Sequence, residues 1–227
     1  KLGPWALGGT IAFAIGGAML LFVVVPHLAT IGVGALFGVD LGVRSVWFHV
    51  VDGVIKVSIF VAYIALISLM KDIRRVFQYH GAEHKSIHAY EKGDELTVEN
   101  ARKYPTLHAR CGTAFILLVL MLSIFLFTAV FPFLPKELMG NKIVTNAFYI
   151  VVKMLLLVPI AGISYEIIRL GEKYDNRLLR GFLMPGLWLQ KLTTREPTDD
   201  QIEVAIVALK KTLEREERWV ENESSAA

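Results

Sequence analysis

The chain holds a single cysteine, Cys111, in 227 residues, so no disulfide can close within it. It contains no glycine-rich phosphate loop, no serine elbow and no cysteine pair at redox spacing. Nucleotide-phosphate cradling, serine-hydrolase chemistry and dithiol exchange are thereby set aside. An excess of one charge is also missing. Lys and Arg number 24 against 21 Asp and Glu, a net of +3. The basic residues flank apolar runs and are mixed with acidic ones, so nothing points to a nucleic-acid partner. No internal repeat is visible.

What the chain has in excess is apolar residues, at 54% with a mean hydropathy of +0.51, too many for an ordinary soluble domain. Charge is sparse in four long runs, residues 5–36, 46–70, 114–134 and 144–170. Each reaches the roughly 20 residues that a helix needs to cross about 30 Å of hydrocarbon. The first is too long for a signal peptide and carries no small-residue cleavage pattern. Pro26 and His27 interrupt it, which predicts a kinked span or a span with a short interfacial piece. Eight of the Lys and Arg fall in residues 71–110 and ten lie from Arg169 onward. Basic connections stay in the cytosol, so both segments, and with four spans both termini, are expected there.

The C-terminal part contains GFLMPGLWLQKL, residues 181–192, too short to span and read as interfacial or re-entrant. Thr198 and Gln201 form a capping box, with Asp199 and Asp200 at the positive end of the helix dipole. Ile202, Ala205, Ile206, Leu209 and Leu213 then repeat at helical spacing, an amphipathic helix that packs on the cytosolic loop. The tail ENESSAA, residues 221–227, is expected to be disordered. The reading is an all-α polytopic membrane protein with about four transmembrane helices. Residues 1–170 form the membrane bundle, with a cytosolic His-rich segment at 71–111. Residues 171–220 form a cytosolic or interfacial helical segment.

The second span is expected to continue outward as KDIRRVFQYHGAEHKSIHAYE, with a short loop around residues 93–105. On a helix His80, His84 and His88 lie along one face, because four residues slightly exceed a turn. Histidines at i and i+4 can grip one ion, and His80-Gly-Ala-Glu83-His84 fits H-x-x-E-H, in which the glutamate acts as base. His108 and Cys111, at the same membrane face, can complete the ligand set, and thiolate with imidazole favours zinc. Against this stands a plainer reading, a hydrogen-bonded platform with His88 and Glu91 solvated and Cys111 simply a small buried residue. Glu166, at the end of the fourth run, is a further ligand candidate or a partner of a nearby arginine such as Arg169. Asp52 and Lys56 are i, i+4 in the second span. They can pair, snorkel at its end, or line a polar cavity.

The stretches KDIRRVFQYHGAEHKSIHAYE, LTVENARKYPTLHARCGTAF, AGISYEIIRL and PGLWLQKLTTREPTDDQIEVAIVAL resemble the YqhQ-like family of bacterial membrane proteins. That family has no established function and is tagged as a predicted metal-dependent enzyme. The likeness runs from the second span to near the C-terminus. It implies a multi-pass protein of the bacterial cytoplasmic (inner) membrane, with metal chemistry at His80, Glu83, His84, His88, His108 and Cys111. Family members carry a GGQAVMEGVMMR-like segment before the first span that is missing here. They also have Pro where this chain has Ala109 and Glu where it has Asp52, a change that keeps the charge.

Two functions follow as expectations. One is a metal-dependent hydrolase, with zinc as the expected divalent metal, acting on a membrane protein, peptide or lipid headgroup. His80 and His84 would bind the ion, Glu83 would act as base, and His108 or Glu166 would complete the set. The other is a non-enzymatic membrane factor for transport, scaffolding or membrane-protein biogenesis, which uses the His-rich region as a docking platform.

Overall fold

The computed structural model describes residues 3–39, 41–174 and 177–226. Among them every regular element is helical. Four helices are long and apolar enough to cross a membrane: Trp5–Phe37, Val46–Ile67, Gly112–Phe133 and Lys142–Gly171. They match the four runs predicted from hydropathy. In chain order the α-helices are α1 (Pro4–Met19), α2 (Val25–Phe37), α3 (Val46–Ile67), α4 (Lys71–Glu91), α5 (Val98–Arg102), α6 (Gly112–Val130), α7 (Lys142–Lys173), α8 (Arg177–Thr193) and α9 (Asp199–Ala226). The chain divides into two units, each discontinuous in sequence: Lys1–Tyr63 with Phe115–Phe182, and Ile64–Ala114 with Leu183–Ala227.

In the first unit α1 and α2 are joined without a break by a π-helical turn, Leu20–Val24. Pro26 explains it. Proline offers no N–H and its ring crowds the carbonyl four residues back, so the turn before it widens. The run interrupted by Pro26 is thus one continuous helix. Close helix approach in this unit depends on Gly53, where a Cβ would lie 2.3 Å from Ile124 of α6. Without a hydrophobic effect between lipid-facing helices, such small-residue contacts carry the packing. Phe127, Phe131, Tyr149 and Ile160 form its buried core, and the Tyr149 hydroxyl donates to the carbonyl of Pro135.

In the second unit α4 is a separate helix, not a continuation of α3. Helix α3 ends at Ile67, its last turn tightens to i→i−3 bonds at Leu69 and Met70, and Met70 takes an extended conformation before Lys71. Ser68 helps to end α3 by donating its hydroxyl to the carbonyl of Ala65, a local bond that competes with the helical ladder. The expected loop around residues 93–105 contains a short helix, α5. Thr97 caps it by accepting from the N–H of Asn100.

The apolar face of α9 packs as its spacing predicts. Ile202 and Ile206 bury against Ala82 and Ala89 of α4 and Ala101 of α5. Each isoleucine contributes about 1.5–3 kcal/mol of burial. Gln201 returns its side-chain oxygen to the N–H of Thr198, half of the expected capping box. Helix α9 runs on to Ala226, into the segment 221–227 expected to be disordered, of which Ala227 lies outside the described residues. Residues 181–192 lie within α8, a continuous helix despite Pro185.

Candidate metal centre

The His-rich face of α4 meets two segments of the second unit, residues 106–111 and the end of α8. Two features let the backbone come close. At Gly81 a Cβ would lie 2.2 Å from the carbonyl oxygen of Arg195, so only glycine admits that strand of chain. Arg195 there donates its N–H to the carbonyl of Phe77. Lys85, almost fully buried, ties down the segment after α5. It donates to the carbonyls of Arg102 and Tyr104 and pairs with Glu196 at 2.9 Å.

Each histidine of α4 then spends one ring nitrogen on a backbone carbonyl. His80 Nδ1 lies 2.8 Å from the oxygen of Thr193, and His84 Nδ1 lies 2.5 Å from that of Thr106. A carbonyl only accepts, so Nδ1 carries a proton in both rings and Nε2 is the nitrogen left for another partner. The two rings sit 4.4 Å apart, and His80 Nε2 lies 3.2 Å from Cys111 Sγ. The ligand atoms of His80, His84 and Cys111 all fall within 4.8 Å of one another. The second nitrogens of both rings and a sulfur thus gather at one point, and the proton that His80 Nε2 shares with Cys111 Sγ is the one a metal would displace. Metal-binding histidines show the same arrangement, with the other N–H given to a carbonyl that fixes tautomer and ring orientation.

The electrostatics agree. Burial pushes the Cys111 thiol up, but hydrogen bonding with His80, His84 and Thr113 outweighs it and brings the group down to about 5. The sulfur is therefore a thiolate at neutral pH, the form that binds metal. His80 is raised, chiefly by its hydrogen bond with Cys111 and against the effect of burial. The donor set fits a borderline-soft divalent ion such as zinc.

A second group, His88, Glu91 and His108, also gathers within 4.8 Å, and the rings of His84 and His108 are 5.6 Å apart. Its ring protons are already placed on acceptors. His88 Nε2 donates to the carbonyl of Leu107 at 2.9 Å. His108 Nδ1 accepts from the N–H of Arg110, which leaves Nε2–H pointing at Glu91, 3.3 Å away. Glu91 in turn pairs with the Arg110 guanidinium. Burial lowers the His108 value against the pull of Glu91, so the ring is neutral. This group is a closed hydrogen-bonded set, whereas in the His80–His84–Cys111 group the atoms not held by backbone face one another.

A cleft of about 420 Å³ opens onto both groups, with His80, Glu83, His84, His108 and Cys111 in its wall. Glu83 is exposed there. Sequence reasoning missed Gln190. This fully buried residue of α8 grips the peptide of His108 at both ends, accepting from its N–H and donating to its carbonyl, each at 2.8 Å. A lone glutamine on an apolar helix face gives no signal that could have found it. Thr113, 3.1 Å from Cys111 Sγ, was missed for the same reason.

The remaining expected site residues lie in the first unit. Glu166 is exposed and sits 3.5 Å from Arg169, one residue pair on the same helix. Asp52 and Lys56 do not snorkel. They are 1% and 4% exposed, 3.4 Å apart, and Lys153 joins them at 2.9 Å from Asp52.

Comparison with known proteins agrees with the residues. A family described as "Protein of unknown function (DUF1385)" matches residues 1–215. The uncharacterized protein YqhQ of Bacillus subtilis (strain 168) is 38% identical over 167 residues, which is 73% of this chain and 49% of that protein. The chain thus spans about half the length of that relative. No solved structure matches. The chain belongs to the DUF1385 family of YqhQ-like proteins, whose function is not established.

Proposed function

We infer that His80, His84 and Cys111 hold one zinc-type ion, and that the protein is a metal-dependent hydrolase of the membrane surface. The observation that carries this reading is the tautomer pattern. Both imidazoles give Nδ1–H to backbone carbonyls and turn Nε2 toward a thiolate. Three protein ligands leave a fourth position free, as in catalytic rather than structural zinc sites. A bound ion would supply Lewis acidity toward water and toward a carbonyl or phosphoryl oxygen.

The chain's own residues do the rest. The carbonyls of Thr193 and Thr106 hold the two rings in orientation. Glu83, on the cleft wall beside His80 and His84, takes the proton of the attacking water on its carboxylate and returns it to the leaving group. The apolar spans and the basic residues of segment 71–110 favour a substrate at the cytosolic face of the membrane: a membrane protein, a peptide or a lipid headgroup.

Elemental analysis of purified protein tests the site. Wild type should carry about one zinc per chain and His84→Ala a small fraction of that, since a lost ligand exceeds the 10–100-fold cost typical of a lost supporting contact. Glu83→Gln should keep its zinc while hydrolysing p-nitrophenyl acetate, a minimal ester probe, at least about 100-fold more slowly. Negligible zinc in wild type and His84→Ala alike, with the fold intact, would overturn the reading. The histidines would then serve as N–H donors that tie α4 to its neighbours, as in a docking platform.

A further inference from the structure

We propose that the first unit holds a binding site for a single-chain anionic amphiphile, an acyl chain ending in a carboxylate, between α1, α3, α6 and α7. The inference starts from a charge imbalance. The buried groups of this unit include two ammoniums, Lys56 and Lys153, and one carboxylate, Asp52. Lys153 Nζ lies 2.9 Å from Asp52 Oδ1, at angles outside hydrogen-bond geometry, and Lys56 Nζ lies 3.4 Å from Oδ2. One carboxylate balances one ammonium. A second cation in a membrane interior is expensive and is found where it meets a counter-charge or a task.

Among the described residues, no second buried carboxylate accompanies the two ammoniums. The rings of His27 and His49 are buried beside this cluster, with His27 Nδ1 and both nitrogens of His49 lacking hydrogen-bond partners. Both lysines lie over the face of Phe127, at 5.1 and 5.6 Å from the ring centre. That contact softens the cost of the charge without neutralising it.

Both lysines also form part of the wall of one cavity of about 320 Å³. The rest of its wall is apolar apart from Ser123, and includes Met19, Phe22, Phe60 and Leu120. An apolar cavity of about 150 Å³ takes a benzene ring, so this one has room for roughly a dozen carbons. It is too small for a two-chain lipid. An apolar chamber with an uncompensated cation in its wall matches a tail with an anionic head. Neither a plain hydrocarbon nor a cationic amphiphile meets both features.

The test compares three ligands that share one tail. Purified full chain in zwitterionic nanodiscs would be titrated with radiolabelled laurate, dodecanol and dodecylammonium, with protein-free discs as blank. Laurate should bind saturably at one per chain, at least about tenfold more tightly than dodecanol, and dodecylammonium should be weaker still. Lys56→Met leaves a balanced Asp52–Lys153 pair and the same apolar chamber. It should fold, keep thermal stability at or above wild type, and lose the preference for laurate over dodecanol. Equal binding of laurate and dodecanol by wild type, or preference for the cation, would overturn the proposal. So would a folded Lys56→Met that keeps the laurate preference. If that variant fails to fold, the wild-type ligand series alone decides.

Discussion

Replacing Gln190 by leucine isolates the clamp on His108. Leucine is similar in volume and apolar, so packing is nearly kept while both side-chain hydrogen bonds are lost. Gln190 is fully buried and its two bonds are each 2.8 Å long. The variant therefore strands the buried N–H of His108 and takes one of two bonds from its carbonyl, which keeps the N–H of Cys111. The unsatisfied N–H costs about 1–3 kcal/mol and the carbonyl's lost bond about 0.5–1.5 kcal/mol, so the loss should total about 1.5–4.5 kcal/mol. Gln190→Glu is the internal control. At low pH its neutral carboxyl can both accept from the His108 N–H and donate to the carbonyl, so it should approach wild type there and lose stability as the buried group ionises. Denaturant unfolding of the three proteins in one detergent measures the series. A Gln190→Leu protein within about 0.5 kcal/mol of wild type, the range of an inconsequential surface change, would refute the reasoning.

Gly81→Ala should destabilise by about 1–3 kcal/mol by overpacking, because its Cβ meets the backbone oxygen of Arg195, which has no rotamer through which to retreat; thermal melting checks it. In metal-free protein the thiolate absorbance of Cys111 should titrate with a midpoint of about 5, and His80→Ala should return it toward the ordinary thiol value of about 8.5. The sign follows from the depressed value. The stabilisation linked to Cys111 is complete above the unfolded thiol value and is lost as pH falls through about 5; an unfolding series that gains stability on acidification across this window in wild type relative to Cys111→Ser would contradict it. His88→Ala should keep its zinc where His84→Ala loses it, read by metal content, because His88 belongs to the closed hydrogen-bonded group. Asp52→Asn should cost about 3–5 kcal/mol by leaving two buried ammoniums without a carboxylate, measured by unfolding against wild type.

Much of this was legible in the residues. Hydropathy alone located the four spans, because about 20 consecutive apolar side chains are needed to cross the bilayer and few other folds call for them. The i, i+4 spacing of His80, His84 and His88 put three imidazoles on one face, since helical geometry fixes that relation locally. The α9 stripe at Ile202 and Ile206 declared a buried face for the same reason. The break between α3 and α4 was less legible, because Leu69 and Met70 are as apolar as the span before them and the ending depends on backbone geometry at Met70.

The linear order of residues therefore determined the class of protein, its helices and the set of groups able to carry chemistry. It could not determine which of those groups converge. That Cys111 faces His80 and not His88, that His108 is handed to Glu91, and that Gln190 and Gly81 make room for both are outcomes of packing between segments about 20 to 110 residues apart. The same holds for Lys153, which meets Asp52 across about 100 residues of chain. Such contacts depend on how side chains from distant segments share space and protons, and no local periodicity encodes that.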